Sequence, residues 1–374
     1  MRLPVVQRIV CLAAALITLT AVQAQQPTWP LGPFVRPQNV NPVIAPDSNS
    51  RFNCPMNGKP VDWESNDTFN PAAIAKGDSL YVLYRAEDKY GIGIGFRTSR
   101  LGLAATADGL HFTRRPTPVL YPADDSQKEF EWPGGCEDPR IAVTEDGLYV
   151  MLYTQWNRKV PRIGVATSRD LVNWTKHGPA FKKYGGKYFD VPSKSASLLT
   201  TLKNGRLVIT KLNGKYQIFW GEYQVNMATS DDLINWTPVV DEGGNLKPVI
   251  KTRRGYFDSD LTECGPPAVL TKEGIILLYN GKNGRGEKSD PAYTPNSYCA
   301  GQVLLDAKDP FTVKARLDKP FLIPSEPFEK SGQYPSGTVF IEGLVYYKKQ
   351  WFLYYGCADS RVAVAVYDPK QSVK

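Results

Sequence analysis

The segment Ala228-Thr229-Ser230-Asp231-Asp232, followed by Trp236, has two counterparts earlier in the chain. These are Ala105-Thr106-Ala107-Asp108-Gly109, followed by Phe112, and Ala166-Thr167-Ser168-Arg169-Asp170, followed by Trp174. The segments start at residues 105, 166 and 228, so they lie 61 and 62 residues apart. Each ends a short apolar run in a polar turn and then offers an aromatic residue to a next strand. The spacing indicates an internal repeat built from β-strands.

A second series of short runs has a similar spacing. Its members combine β-branched and aromatic residues beside Gly, Asp or Asn turns, which is typical of strands. The five members are Leu80–Arg85, Tyr149–Thr154, Leu207–Lys211, Ile275–Tyr279 and Trp351–Tyr355. Five units of about four short strands each, with few helical patterns, predict an all-β chain folded as a five-bladed β-propeller. The alternative is a pair of β-sandwiches whose turns are similar by chance.

The composition is that of an ordinary globular protein of 374 residues, with 42% hydrophobic and 22% charged residues. The 31 glycines and 30 prolines follow no short period and therefore indicate many turns. The net charge of +8 includes no block of five basic residues. The sequence thus predicts a mildly basic surface and no nucleic-acid partner.

The first residues predict export. An apolar stretch, residues 9–22, follows two arginines, and Val22-Gln23-Ala24 supplies small residues at the usual cleavage spacing. This pattern predicts a signal peptide over residues 1–24, cleaved after Ala24, and a secreted or periplasmic mature protein. Cys11 comes too early for an ordinary lipid-attachment cysteine, although that alternative stays open. No later stretch approaches 18 apolar residues, so no membrane insertion is expected.

The remainder divides into an extension and a repeat domain. Residues 25–62 are rich in proline and asparagine and show little periodicity. They are expected to wrap the outside of the propeller or to close a blade. Residues 63–374 are expected to form the catalytic propeller domain.

Cysteine and histidine are too scattered for a zinc site. The cysteines after the apolar stretch form no CxxC pair, and the chain has only two histidines, His111 and His177. No metal or other cofactor is therefore expected. One or two disulfides are possible in an oxidising compartment, but buried structural cysteines are the favoured interpretation. The five residues concerned are Cys54, Cys136, Cys264, Cys299 and Cys357.

The clearest candidate for chemistry is the run Gly134-Gly135-Cys136-Glu137-Asp138-Pro139-Arg140, close after Trp132. The innermost strand of each propeller blade directs its end residues into one central funnel, so charged residues that are distant in sequence converge there. The two glycines allow a sharp turn and the proline fixes it beside three charges. Taken alone, the run is also compatible with a salt-bridged turn.

Two further carboxylates stand at rigid turns. Glu222 lies in Phe219-Trp220-Gly221-Glu222, and Glu263 lies in Leu261-Thr262-Glu263-Cys264-Gly265-Pro266-Pro267. An acid near aromatic rings can have its pKa raised into the range of a general acid. Glycosidic bond cleavage requires paired carboxylates, and 20 Tyr, 15 Phe and 8 Trp are available to stack on sugars. Either glutamate alone is more often a surface charge.

The Gly-Gly-Cys-Glu-Asp-Pro-Arg run resembles the signature of glycoside hydrolase family 130, which contains β-mannoside phosphorylases and β-1,2-mannosidases built on a five-bladed propeller. The Glu-Asp-Pro-Arg part is fairly specific, and weaker matches follow in order along most of the chain. They are Phe69-Asn70-Pro71-Ala72-Ala73, Leu83-Tyr84-Arg85-Ala86, Thr98-Ser99-Arg100-Leu101-Gly102-Leu103-Ala104, Cys264-Gly265-Pro266-Pro267 and Tyr354-Tyr355-Gly356-Cys357-Ala358-Asp359.

The resemblance implies an inverting mechanism in which Asp138 is the general acid. Its proton is expected to travel through the O3 hydroxyl of the mannose in subsite −1. The resemblance also implies sugar contacts at Asn70, Arg85, Ser99, Arg100 and Asp359. Lys194, a residual basic group, and Asn280, which stands where the family carries a histidine, complete the candidate substrate-binding residues.

One departure from the family distinguishes its two activities. Family phosphorylases hold phosphate with a His-Arg pair and a Tyr-His-Gly turn, whereas the corresponding stretches here read Ile209-Thr210-Lys211-Leu212 and Tyr279-Asn280-Gly281. Glu222 and Glu263 instead supply negative charge that would repel phosphate and polarise a water. With Asp138 as the acid, the sequence predicts an inverting, exo-acting β-mannosidase that hydrolyses β-1,2-linked manno-oligosaccharides to mannose.

Three alternatives remain open. Lys194 leaves room for a phosphorylase that releases mannose 1-phosphate. A non-catalytic glycan-binding propeller would need the aromatic residues but not the three acids, and an arabinan- or fructan-cleaving propeller would be expected to carry its acids in other motifs. Linkage preference, chain length, endo or exo action, disulfide pairing and oligomeric state are not fixed by the sequence.

Overall fold

The computed structural model describes residues 28–371 except 90, 91 and 94, and the predicted signal peptide lies outside these residues. Strands make up nearly all of the regular structure, so the all-β prediction is confirmed. The described residues contain two short α-helices and two 3-10 turns: Lys128–Glu131 (α1), Lys187–Asp190 (α2), Gly286–Lys288 and Pro327–Glu329. None of these helices is long and apolar enough to cross a membrane.

Most strands of the described ranges form five antiparallel sheets that follow one another along the chain, after a hairpin of β1 (Phe52–Cys54) and β2 (Lys59–Val61). Sheet 1 contains β3 (Asp67–Lys76), β4 (Ser79–Glu87), β5 (Ser99–Thr106) and β6 (Thr113–Arg114). Sheet 2 contains β7 (Gly135–Val143), β8 (Tyr149–Trp156), β9 (Pro161–Ser168) and β10 (Thr175–Pro179). Sheet 3 contains β11 (Ala196–Lys203), β12 (Arg206–Ile209), β13 (Lys211–Leu212), β14 (Lys215–Trp220), β15 (Gln224–Ser230), β16 (Thr237–Pro238) and β17 (Ile250–Lys251). Sheet 4 contains β18 (Leu261–Cys264), β19 (Ala268–Leu270), β20 (Ile275–Lys282), β21 (Tyr298–Leu305) and β22 (Val313–Arg316), and sheet 5 contains β23 (Val339–Tyr347), β24 (Gln350–Cys357) and β25 (Arg361–Tyr367).

The three repeated segments form the same turn, between β5 and β6, β9 and β10, and β15 and β16. In each, an aspartate carboxylate accepts the backbone N–H groups two and three residues later, at 2.8 to 2.9 Å. The three aspartates are Asp108, Asp170 and Asp232. The predicted polar turns are therefore confirmed, and their local hydrogen bonds explain why the motif recurs.

The second predicted series also lies in strands. Four of its members lie within β4, β8, β20 and β24. The fifth, Leu207–Lys211, is interrupted at Thr210, because β11 pairs with two separate strands instead of one continuous strand. One half of β11 pairs with β12 and the other half with β14.

The five sheets are arranged in a ring. Within the described residues, five hydrophobic clusters fill the spaces between sheets 1 and 2, 2 and 3, 3 and 4, 4 and 5, and 5 and 1. Strand β3 contacts β7, β7 contacts β11, β11 pairs with β19, and β23 contacts β3. Between sheets 4 and 5, the Asn280 side chain exchanges two hydrogen bonds with the Ile341 backbone. Burial of apolar side chains between neighbouring sheets therefore closes the ring.

The extension lies along the outer edge of sheet 5. Val35 pairs with Val366, and Ile44 pairs with Val362, so both extension residues contact β25. Ile44 is also buried in the cluster between sheets 5 and 1. Two isolated bridges thus place extension residues beside the edge of sheet 5 that β25 forms. The boundary between residues 62 and 63 stays a prediction.

Candidate active site

A cavity of about 280 Å³ opens at one end of the ring, and all five sheets or their connecting loops contribute to it. Its lining consists of Phe69, Asn70, Arg85, Gly95, Glu137, Asp138, Thr154, Trp156, Pro161, Lys194, Glu222, Glu263, Tyr298, Tyr334, Phe340 and Asp359. Seven of the ten predicted site residues are in this lining: Asn70, Arg85, Asp138, Lys194, Glu222, Glu263 and Asp359. The structure thus brings together acids and bases that are distant in sequence.

Asp138 lies at an irregularity in β7, the first strand of sheet 2, and Asn70 at one in β3, the first strand of sheet 1. At each position the pairing with the second strand shifts, and φ is positive, +48° for Asp138 and +47° for Asn70. Such conformations cost about 1–3 kcal/mol each and are concentrated at functional sites. The Asn70 Nδ2 group donates to Asp138 Oδ1 at 2.8 Å. Gly135 permits the approach of β7 to β5, since a Cβ there would lie 2.2 Å from the Ser99 carbonyl oxygen.

Arg85 is the centre of the acidic side of the cavity. Its guanidinium lies 2.6 Å from Glu87 Oε1, 2.9 Å from Glu137 Oε1 and 3.1 Å from Asp138 Oδ1. The same guanidinium lies 4.6 Å from the centre of the Phe69 ring. Three buried carboxylates thus surround one guanidinium, and Glu87 also lies 3.1 Å from Arg97.

The protons are distributed unequally within this cluster. Burial raises the pKa of Glu137 to about 7, because Arg85 offsets only part of the cost of charging it. Burial also acts on Asp138, but Arg85 and Arg140 outweigh it and lower the pKa of that carboxyl. Asp359 behaves like Glu137, since burial raises its pKa to about 7 against the attraction of Arg85. The pKa values of these two neighbours therefore move in opposite directions, and Glu137 binds a proton up to a higher pH than Asp138 does.

Opposite this acidic side, Lys194 lies between the two predicted base residues. Its Nζ is 3.2 Å from Glu222 Oε1 and 3.5 Å from Glu263 Oε1, and Ser195 Oγ donates to Glu263. Burial alone would lower the pKa of Lys194, but the charges of Glu263 and Glu222 raise it. Burial raises the pKa of Glu263, with Lys194 opposing the shift. The charge of this lysine is thus already matched by two carboxylates.

Backbone contacts hold the loop that carries Glu222. The Gly221 N–H donates to the Lys194 carbonyl oxygen at 3.0 Å. A Cβ at Gly221 would lie 2.6 Å from a backbone oxygen, and its φ is +120°, so glycine is required there. Thr262 Oγ1 donates to the carbonyl oxygen of Tyr223 at 3.1 Å. These bonds fasten the residue after Glu222 to the strand that carries Glu263.

Three predicted sugar contacts, Ser99, Arg100 and Asn280, lie outside the cavity lining. Ser99 lies one layer behind it and donates to Glu137 Oε1 at 3.2 Å. Arg100 is almost fully buried and pairs with Asp88 at 2.7 Å. Asn280 is fully buried and joins sheets 4 and 5. Their side chains are engaged in internal bonds, and their assignment as sugar contacts stays a prediction.

Several lining residues were not singled out from the sequence. Glu137 stood in the quoted acidic run, so its charge was visible. Its pKa is raised by burial, which Arg85 from sheet 1 only partly offsets, and neither effect could be read from the run itself. An aromatic wall is formed by Tyr298, whose ring centre lies 5.4 Å from that of Tyr334 and 5.6 Å from that of Phe340. With 43 aromatic residues in the chain (20 Tyr, 15 Phe and 8 Trp), composition could not identify which ones line the cavity.

The histidines and cysteines lie outside the cavity lining. His111 is exposed and pairs with Asp108 at 2.7 Å, and His177 contacts Thr167 at 2.8 Å. All five cysteines of the described residues are free and buried, so the favoured structural interpretation is confirmed. Within the same residues, no three His, Cys, Asp or Glu side chains are grouped so that they could hold a metal ion.

Comparisons with known proteins agree on one family. The family model for glycoside hydrolase 130, described as beta-1,4-mannooligosaccharide phosphorylase, matches residues 39–373. A curated 1,2-beta-oligomannan phosphorylase from Thermoanaerobacter sp. (strain X514) is 34% identical over 317 residues, which is 83% of this chain and 92% of that protein.

Two solved structures have a higher sequence identity to this chain than that curated phosphorylase has. A glycosyl hydrolase from Bacteroides ovatus is 62% identical, with a TM-score of 0.90 over 92% of this chain and 96% of that chain. Another structure is 60% identical, with the same TM-score and the same coverages. It is presented with the statement that the GH130 family of mannoside phosphorylases contains glycoside hydrolases that target beta-1,2 mannosidic linkages in Candida mannan.

Proposed function

This chain belongs to glycoside hydrolase family 130, an enzyme family that acts on mannosides, and we propose that it hydrolyses β-1,2-linked manno-oligosaccharides to mannose with inversion at the anomeric carbon. The curated relative named above is a phosphorylase, so the use of water instead of phosphate is the substance of the proposal.

The charge of the cavity lining carries this proposal. The lining contains five carboxylates (Glu137, Asp138, Glu222, Glu263 and Asp359) and two cations, Arg85 and Lys194. Both cations are already paired with carboxylates. One phosphate charge about 4 Å from an unmatched carboxylate is repelled by about 4 kcal/mol at an effective dielectric constant of about 20. Of the residues that the structure describes, the lining includes no histidine to offset this repulsion.

In the proposed reaction, a water lies between the Glu222–Glu263 pair and the anomeric carbon of the mannose. One of these glutamates accepts a proton as the water oxygen bonds to that carbon. On the opposite side, the glycosidic oxygen leaves with a proton from the O3 hydroxyl, which Asp138 replenishes. Because Glu137 and Asp138 titrate as a pair, the proton held by Glu137 supplies Asp138 when the sugar displaces water from the cavity.

A β-mannoside phosphorylase is the second candidate. The 34% identity to a 1,2-beta-oligomannan phosphorylase favours it, and so does the presence of a lysine in the cavity. In that reaction phosphate would have to displace Glu222 and Glu263 from Lys194. The raised pKa of Lys194 reflects how strongly those two carboxylates hold it, which favours the hydrolase.

The proposal includes the architecture and the location of the enzyme. Five sheets in ring order, with first strands in mutual contact and the site at one end, support a five-bladed propeller. The apolar stretch of residues 9–22 supports export and cleavage after Ala24. Mass spectrometry of the mature protein would test the cleavage site.

Product analysis tests the reaction. The wild-type enzyme is incubated with β-1,2-mannobiose, and in parallel with β-1,4-mannobiose, in phosphate-free buffer and again with added phosphate. We expect free mannose from the β-1,2 substrate at a rate that phosphate does not increase, with the α-anomer appearing first by NMR. Mannose 1-phosphate formed only with phosphate would establish the phosphorylase instead, and faster cleavage of β-1,4-mannobiose would overturn the linkage.

A further inference from the structure

The Arg140 side chain lies beneath the cavity and outside its lining, and it connects the two sides of the site. Nη1 donates to the carbonyl oxygen of Asp138 at 3.0 Å. Nη2 donates to the carbonyl oxygen of Cys264, the residue after Glu263, also at 3.0 Å. Nε makes a longer bond of 3.4 Å to the Gly265 carbonyl oxygen. A single rigid guanidinium thus bonds the backbone of the predicted acid and the backbone next to a predicted base.

Glu342, in the first strand of sheet 5, holds this guanidinium from a third direction. Its Oε1 lies 2.9 Å from Arg140 Nη2, and both residues are fully buried. Neither oxygen of Glu342 accepts a well-directed hydrogen bond from any described residue. A buried ion pair with incomplete hydrogen bonding contributes little net stability, because removing both charges from water costs several kcal/mol per ion. Stability alone therefore does not account for the pair.

We propose that Arg140, anchored by Glu342, is a positioning residue that fixes the separation between Asp138 and Glu263. The inference rests on the proposed hydrolysis. Inverting glycosidases hold their two carboxyl groups about 6.5–9.5 Å apart, so that a water fits between the base and the sugar. The planar guanidinium, with donors in fixed directions, is suited to act as a spacer between two strands. It also holds the Asp138 carbonyl in the positive-φ conformation that a free strand would leave.

The charges around Glu342 support this placement. Arg140 and Arg85 face it as cations, and Asp138 and Glu263 face it as carboxylates. Burial raises the pKa of Glu342, with Arg140 opposing the shift and the two catalytic carboxylates adding to it. The Glu342 carboxyl is therefore influenced by charges from both sides of the site.

Substitution of Arg140 by lysine tests the spacer, since lysine keeps the charge but cannot bridge both strands. Small misplacements of catalytic groups cost about 10²-fold in rate. We expect Arg140→Lys to lower kcat for β-1,2-mannobiose about 10²-fold, with KM and the affinity for mannose changed less than about threefold. Glu342→Gln should lower kcat in the same selective way by a smaller factor.

The pair Arg36–Glu329 provides a matched control. Glu329 is also fully buried, lies 2.7 Å from Arg36 and stands outside the cavity lining. Glu329→Gln should lower the melting temperature while leaving kcat unchanged. The inference is overturned if folded Arg140→Lys retains kcat, or if kcat and mannose affinity fall together.

If Arg140→Lys does not fold, Glu342→Gln decides by the same two criteria. Failure of the proposed hydrolysis would instead be visible in the wild type alone, as a requirement for phosphate.

Discussion

Neutralising Glu263 should remove most of the hydrolytic activity without removing the sugar site. Glu263 is almost fully buried, lies 3.5 Å from Lys194 Nζ and accepts a bond from Ser195. In Glu263→Gln, the amide oxygen still accepts from Ser195, and Lys194 keeps Glu222 at 3.2 Å. No buried charge is left alone, so we expect the free energy of unfolding to change by only about 1–3 kcal/mol.

The rate should change much more than the stability. Loss of a general base typically lowers kcat by 10²–10⁴-fold. Glu222→Gln should act similarly, and the double variant should fall by less than the product of the two single effects, because both residues orient one water. The assay measures kcat and KM with β-1,2-mannobiose and mannose affinity by calorimetry. Glu145→Gln, which neutralises an exposed carboxylate 2.8 Å from Lys203, is the control for charge alone.

Three results would contradict the reasoning in different ways. Near wild-type hydrolysis by both single variants would eliminate the paired-glutamate base. Fully multiplicative effects in the double variant would mean that the two carboxylates act on different steps. A loss of mannose affinity that parallels the loss of kcat would make Glu263 a sugar anchor and not a base.

Three further predictions concern the acidic side of the cavity and metal dependence. Asp138→Asn should lower kcat at least about 10²-fold with the fold retained, and residual activity above a tenth of wild type would remove Asp138 from the mechanism. Because the pKa values of Glu137 and Asp359 are raised to about 7, kcat/KM should fall as pH rises through 7. The folded state holds these protons more tightly than the unfolded chain does. The free energy of unfolding should therefore also fall as the pH rises from about 4.5 to 7. Denaturant titrations at several pH values that show a rise instead would refute both shifts. Activity should survive exhaustive chelation, and a loss restored by calcium or zinc would reveal a metal site.

The sequence was sufficient for features that depend on local bonds. The repeated turns could be recognised because Asp108, Asp170 and Asp232 bond their own neighbours, and the second strands could be recognised from their composition. It did not indicate the surroundings of Ser99 and Arg100. Neighbouring residues of a strand point to opposite faces, so these two side chains have different neighbours. Ser99 faces the Arg85 cluster, while Arg100 faces Asp88.

The other features of the cavity depend on contacts between residues that are distant in the sequence, so they could not be predicted from it. Lys194 pairs with two glutamates that follow it by 28 and 69 residues, and only the ring brings each of their carboxylates within 3.5 Å of its Nζ. Each cavity carboxylate, taken alone in the sequence, is compatible with an exposed surface charge. Together they are not, because five acids with two paired cations in one buried space must share protons or accept a polar ligand. A neutral sugar with hydroxyl donors satisfies that space, whereas a phosphate dianion adds to its excess charge. The proposed use of water instead of phosphate rests on this accumulation of acids in the cavity lining.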